Sequence, residues 1–122
     1  YCIYPSYYEP WGYTPLESIA FGIPCLTTNL SGFGQWVNTQ VGHQAILSDG
    51  VAVIQRTDNN YEQCACEIAV SIQGLSMLSD LEYIKIQEAA RKLSLKAQWK
   101  DFIKYYLDAY TLSLKYNATN RQ

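Results

Sequence analysis

The stretch Pro5-Ser6-Tyr7-Tyr8-Glu9-Pro10-Trp11-Gly12-Tyr13-Thr14-Pro15-Leu16-Glu17, running straight into Ser18-Ile19-Ala20-Phe21-Gly22-Ile23-Pro24, organises the rest of the chain. Its middle, Gly12-Tyr13-Thr14-Pro15, reads as a loop turning into a helix. Pro15 suits a first helical turn, where its missing N–H would have had no partner, and Thr14 before it is a good N-cap. A helix starting there aims backbone N–H groups near Gly12 to Thr14 outward at the positive end of its dipole, which makes a phosphate site. Glu17 falls in the first turn and Glu9 lies upstream on the loop, with seven residues between the two carboxylates. A phosphate cradle with a carboxylate on each side fits a sugar nucleotide.

Outward from that stretch, residues 1–6 read as a short buried strand and residues 14–21 as the helix. Gly22 sits where a helix C-terminus wants glycine, with Pro24 just beyond. Residues 23–28 form a short apolar strand of the kind found inside a parallel sheet. Asn29-Leu30-Ser31-Gly32-Phe33-Gly34 is a second glycine loop, feeding a short helical stretch near residues 35–38, and residues 50–56 give a third strand. Strand, helix, strand, helix, strand is the order of a parallel sheet with crossover helices. From residue 61 the chain reads as helical to about residue 117. One helix covers 61–78 with Ile68, Ile72 and Leu75 at helical spacing. A second runs from an Asp80 cap to residue 95 with Ile84, Ala89 or Ala90, and Leu93 inward. A third covers 96–116 with an apolar stripe of Trp99, Phe102, Ile103, Tyr106, Leu107 and Tyr110, ahead of a polar, frayed tail.

Composition removes several classes. A net charge of −2 across 122 residues leaves no basic footprint for nucleic acid and no polybasic patch for a membrane surface. No apolar run approaches the ~20 residues a bilayer span needs. Cys64-Ala65-Cys66 is too tight for zinc spacing and no second pair with a histidine accompanies it, so the four cysteines read as ordinary thiols of a reducing cytosol and no metal is expected. His43, the single histidine, reads as a surface loop residue, and with no serine or cysteine elbow a hydrolase triad has no support. The chain opens in mid-strand at Tyr1-Cys2-Ile3-Tyr4 and reads as one domain's part of a longer protein.

The run from Pro5 through Gly34, above all Tyr7-Tyr8-Glu9-Pro10-Trp11-Gly12-Tyr13-Thr14-Pro15 and Asn29-Leu30-Ser31-Gly32-Phe33-Gly34, closely resembles the C-terminal donor-binding domain of glycogen synthases of the fungal and animal type. Beyond it the likeness is weak, chiefly the late Trp99-Lys100. Those enzymes are retaining glycosyltransferases of the GT-B fold. The resemblance implies the C-terminal half of a GT-B fold: a partial Rossmann-like parallel sheet of about three strands, a helical C-terminal region, and a donor-binding domain fragment over residues 1–122. It implies Glu9 as the carboxylate beside the donor sugar, with Gly12, Tyr13 and Thr14 offering backbone N–H groups to the diphosphate. Glu17 would accept the ribose hydroxyls. Tyr7, Tyr8 and Trp11 either line the sugar pocket or pack the loop. Asn29 and Gly32-Phe33-Gly34 would shape the acceptor side.

The implied reaction moves glucose from a nucleotide sugar, UDP-glucose first among candidates, to an α-1,4-glucan in the cytoplasm, with no metal or other cofactor. The family's phosphate-gripping Arg and Lys and its catalytic histidine belong to upstream segments, so this piece alone is expected to be inactive. Its partners would be the donor, the glucan, the missing N-terminal domain, and a second copy if the open sheet edge is covered by self-association. The late helix that carries an arginine cluster for glucose 6-phosphate in eukaryotic enzymes here holds only Arg91, which predicts no such activation and a bacterial relative. The alternatives are another retaining GT-B transferase, making a surface polysaccharide or a disaccharide, and a non-catalytic nucleotide-sugar-binding module. For the individual residues the bland readings are a loop salt bridge at Glu9 and, at Glu17, a first-turn charge worth about 0.5 kcal/mol.

Overall fold

The computed structural model describes residues 1–119. Strand β1 (Cys2–Ile3) is followed by helix α1 (Tyr13–Ala20), β2 (Cys25–Thr28), α2 (Gly32–Val41) and β3 (Val51–Ile54). Helices α3 (Tyr61–Ser76), α4 (Asp80–Ser94) and α5 (Trp99–Thr119) follow within the described residues. The strands form one parallel sheet in the order β1-β2-β3, with Cys2 beside Cys25 and Cys25 beside Val51. This is the α/β arrangement that the alternation predicts, with shorter strands than expected. The ladder stops where prolines remove donors. Pro24 precedes β2, and after the Tyr4 N–H reaches the Leu26 carbonyl at 2.8 Å, Pro5 has nothing to add.

Side chains on β2 and β3 alternate between two cores, as a strand's period of two requires. Cys25, Val51 and Val53 meet Ile19 of α1, Phe33 and Val37 of α2, and Ala90 and Leu93 of α4. Leu26, Ala52 and Ile54 face the other way, onto Cys64 and Ile68 of α3. Three helices therefore cover one face and one covers the other. Two hydroxyl contacts tie β1 into this frame: Tyr1 Oη with Ser71 Oγ and Tyr4 Oη with Ser18 Oγ, both at 2.6 Å. Burial pushes both phenol pKa values up.

Several boundaries correct the sequence reading. Helix α1 begins at Tyr13 and its N-cap is Gly12, so Thr14 lies inside the first turn and caps nothing. Helix α2 starts within the second glycine loop, because the Ser31 hydroxyl accepts the Gly34 N–H at 2.9 Å and nucleates the helix early. The cap of α4 is Ser79, whose hydroxyl accepts from the Glu82 N–H while the Glu82 carboxylate takes the Ser79 N–H at 2.9 Å; Asp80 is the first helical residue. The inward set on α4 is Ile86, Ala90 and Leu93, spaced four and three apart, which turns Ile84 outward. Ile72 of α3 is likewise exposed.

Helix α5 differs from all of these. It has no buried residue. Of the expected stripe, Phe102 and Ile103 are half-buried, whereas Trp99, Tyr106, Leu107 and Tyr110 are at least half exposed. The helix continues through Thr119, past the expected fraying point at residue 117; the rest of that tail lies outside the described residues. Among the described residues no helix is long and apolar enough to cross a membrane.

Candidate functional site

The site is assembled by two loops at the carboxyl ends of β1 and β2, where parallel sheets present ligand sites. Glu9 and Ser31 form an isolated parallel bridge between them. The Glu9 N–H donates to the Leu30 carbonyl at 3.3 Å, the Gly32 N–H to the Glu9 carbonyl at 3.1 Å, and the Phe33 N–H to the Trp11 carbonyl at 2.7 Å. The backbone of Glu9 is thus held on both sides while its side chain stays half-buried. Close approach of the loops depends on Gly32: a Cβ there would run into the Pro10 carbonyl oxygen.

Gly12 turns the chain from this loop into α1. It is buried, with φ 108° and ψ 73°, a left-handed backbone that residues with a side chain rarely adopt. A Cβ at Gly12 would lie 3.2 Å from Pro15 Cγ, 3.3 Å from Phe33 Cβ and 3.5 Å from Glu9 Cγ, which places Gly12 and Glu9 in contact. No side chain caps α1, and among the described residues the N–H groups of Gly12, Tyr13 and Thr14 have no partner. Three unspent donors at the positive end of a helix, beside a residue whose backbone is held on both sides, have the chemistry to take an anion. Tyr13 and Thr14 are exposed at this corner. Glu17 lies one turn on, exposed, its backbone carbonyl accepting the Phe21 N–H at 3.1 Å while its carboxylate makes no hydrogen bond among the described residues.

The aromatics of the loop divide. Tyr8 is exposed, and Tyr7 lies under the Arg56 guanidinium, 5.1 Å from its carbon to the ring centroid. Trp11 points the other way into an aromatic cluster: its ring meets Phe33 edge-on at 6.2 Å, Trp36 at 6.0 Å and Phe102 edge-on at 5.5 Å. Of the two roles open to Trp11, this placement is the packing one. A cavity of about 570 Å³ opens behind it, lined by Trp11, Tyr13, Trp36, Trp99, Phe102 and Tyr106 among others. A second, of about 400 Å³, lies by Lys96, Lys100 and Lys104. Neither is lined by Glu9 or Glu17.

Sequence reasoning passed over Thr28 and Arg56, and gave Asn29 a role on the acceptor side rather than in the latch that these residues form between the loops. The Thr28 hydroxyl donates to the Ser6 carbonyl at 2.7 Å, and Arg56 Nη1 donates to the Pro5 carbonyl at 2.6 Å. The Asn29 N–H donates to the Ile54 carbonyl at 3.0 Å, and its Oδ1 accepts the Arg56 N–H at 2.6 Å. Polar side chains directly after buried strands were the available signal, since such groups must find partners. Away from the site, Cys64 is buried and Cys66 exposed on α3, and all four cysteines are free thiols. Burial, with a smaller contribution from neighbouring Cys2, pushes the Cys25 thiol up to about 12.

The sequence of the whole frame matches a known family. The family model for glycogen synthase covers residues 1–121. The chain belongs to the glycogen synthase family. It is 34% identical over 112 residues to the liver glycogen [starch] synthase of Mus musculus, covering 92% of this chain and 16% of that protein. It is 34% identical over 113 residues to glycogen [starch] synthase of Caenorhabditis elegans, covering 93% of this chain and 16% of that protein. To isoform 1 of Saccharomyces cerevisiae it is 29% identical over 113 residues, with the same coverage. The chain therefore spans about a sixth of the length of these relatives. Within this glycosyltransferase family, the single arginine of α4 has a packing place: Arg91 lies over Gly22, where a Cβ would collide with its guanidinium.

Proposed function

We propose that this chain is the donor-binding segment of a retaining glucosyltransferase, moving glucose from a nucleotide sugar to the non-reducing end of an α-1,4-glucan. UDP-glucose is the donor this reading favours, and the cytoplasm the place. The observation that carries it is the corner at Gly12, where the uncapped N–H donors of α1 lie beside Glu9, a residue held by its backbone and with its Cγ 3.5 Å from where a Gly12 Cβ would stand.

In a retaining transfer the sugar ring gains oxocarbenium character while negative charge grows on the departing diphosphate. Donors already in place at the N-terminus of α1 stabilise that charge without reorganising. Glu9 carries a negative charge to the sugar side, where it holds hydroxyls and offsets the positive ring. Glu17, one turn along the same helix, is placed to accept hydrogen bonds from the ribose. Activation by glucose 6-phosphate is not part of this reading, because Arg91 stands alone and is packed on Gly22.

The test uses the full-length protein that carries this chain. It is mixed with UDP-glucose or ADP-glucose plus glycogen, and release of nucleoside diphosphate is followed, with Glu9→Ala as control. Release that requires glycogen and falls about a hundred- to a thousandfold in the variant is the expected result. Silence with both donors, alongside retained nucleotide binding, would replace the reading with a binding module or a transferase of other specificity.

A further inference from the structure

The loop that presents Glu9 leaves β1 at Tyr4 and returns at Gly12, and it is held at both ends by different means. Its later part is tied by backbone bonds from Glu9 and Trp11 to Leu30, Gly32 and Phe33. Its earlier part, Pro5 to Tyr7, is held by two side chains, Thr28 on the Ser6 carbonyl and Arg56 on the Pro5 carbonyl. Arg56 reaches across 51 positions of sequence to do so. Its own backbone is locked by Asn29 Oδ1 at 2.6 Å, so the guanidinium starts from a fixed root. It also covers the Tyr7 ring at 5.1 Å, a cation–π contact two residues before Glu9.

Among the described residues Arg56 has no carboxylate within ion-pair distance, and its one side-chain hydrogen bond goes to a backbone carbonyl. A guanidinium used in this way is a planar clamp on a loop, a task for which lysine, with its point charge, is a poor substitute. We infer that Arg56 is a positioning residue for Glu9: it clamps Pro5 and Tyr7 so that the carboxylate keeps its place beside the N-terminus of α1. This rests on the transferase reading for its kinetic consequence but not for its structural one. Small displacements of a reacting group cost large factors in rate, so the effect belongs in kcat more than in nucleotide affinity.

The experiment compares Arg56→Gln and Arg56→Lys with the unaltered full-length protein in three measurements. These are amide hydrogen exchange of the peptide covering residues 5–12 without ligand, the Kd of UDP, and kcat and KM with UDP-glucose and glycogen. Arg56→Gln is expected to speed exchange in that peptide about tenfold and lower kcat about tenfold or more, with Kd for UDP changed less than about threefold. Arg56→Lys should recover part of kcat and part of the protection.

Unchanged exchange in Arg56→Gln would overturn the inference, and so would a loss of UDP affinity as large as the loss of kcat, which would make Arg56 a direct ligand of the diphosphate. If the unaltered protein transfers no glucose, the transferase reading fails while the exchange measurement still decides the clamp. Should Arg56→Gln not fold, Arg56→Lys carries the same measurements. Protection of residues 5–12 equal to that of the unaltered protein would then count against the clamp.

Discussion

Phe33 on α2 and Tyr110 on α5 are both aromatic residues of helices, yet Phe33 has no exposed surface and Tyr110 is 63% exposed. The sheet explains the difference. Its two faces are finite: α1, α2 and α4 fill one and α3 the other. Helix α5 attaches beyond them, through the half-buried Phe102 that meets Trp11 at 5.5 Å and Trp36 at 6.1 Å. An amphipathic helix normally draws most of its stability from the face it buries. The α/β region is built on that principle, and α5, whose 21 residues include none that are buried, is not.

The comparison is most easily broken at its buried end. Phe33→Ala should destabilise the protein by about 3–5 kcal/mol in urea unfolding, because it empties the contact of α2 with the sheet and with Trp11. A loss below about 1 kcal/mol would mean the core does not depend on that ring. Gly12→Ala should come next, at about 1–2 kcal/mol, since alanine must take a left-handed backbone against Pro15 and Phe33. It should also weaken UDP binding through the contact with Glu9, and a variant as stable and as tightly binding as the parent would remove Gly12 from the site.

Ser79→Ala probes a helix start within the sheet-covering region. It removes the cap of α4 and should cost about 1 kcal/mol. Hydrogen bonds from the Ser79 hydroxyl and backbone N–H hold the Glu82 carboxyl below the usual glutamate range. A depressed folded value contributes stability that is present above the unfolded pKa of 4.5 and lost as pH falls through the folded one. The gap between Ser79→Ala and the parent should therefore narrow on acidification below that value, as thermal melts in an acid pH series would show. Tyr110→Ala should be the mildest change, within about 0.5 kcal/mol. A cost comparable to that of Phe33→Ala would show that α5 is covered in solution. Gel filtration of residues 1–122 would then say whether a second copy does the covering.

Much of the α/β region was legible in the sequence because its signals are local. Pro15, Gly22 and Pro24 bracket α1, and the buried runs 25–28 and 51–54 are continuous enough to read as parallel strands. The exact caps were less legible. Thr14 and Asp80 are good capping residues by type, but Gly12 and Ser79 hold those places, since capping is decided by which backbone turns and which side chain then reaches an N–H. Ile84 and Ile86 are equally apolar, and only the packing of α4 onto α1 and the sheet selects the second.

By itself the sequence determined the order of elements, the Glu9-to-Glu17 stretch with its glycine, and the likeness to one family, because each depends on residues close together in the chain. Tertiary structure alone decided the rest. It turned Trp11 into the aromatic cluster, seated Ser31 as a cap, and brought Arg56 onto Pro5 and Tyr7 from the opposite edge of the sheet. Those contacts join separate strands and loops, and no local pattern records which polar groups will meet when a parallel sheet closes.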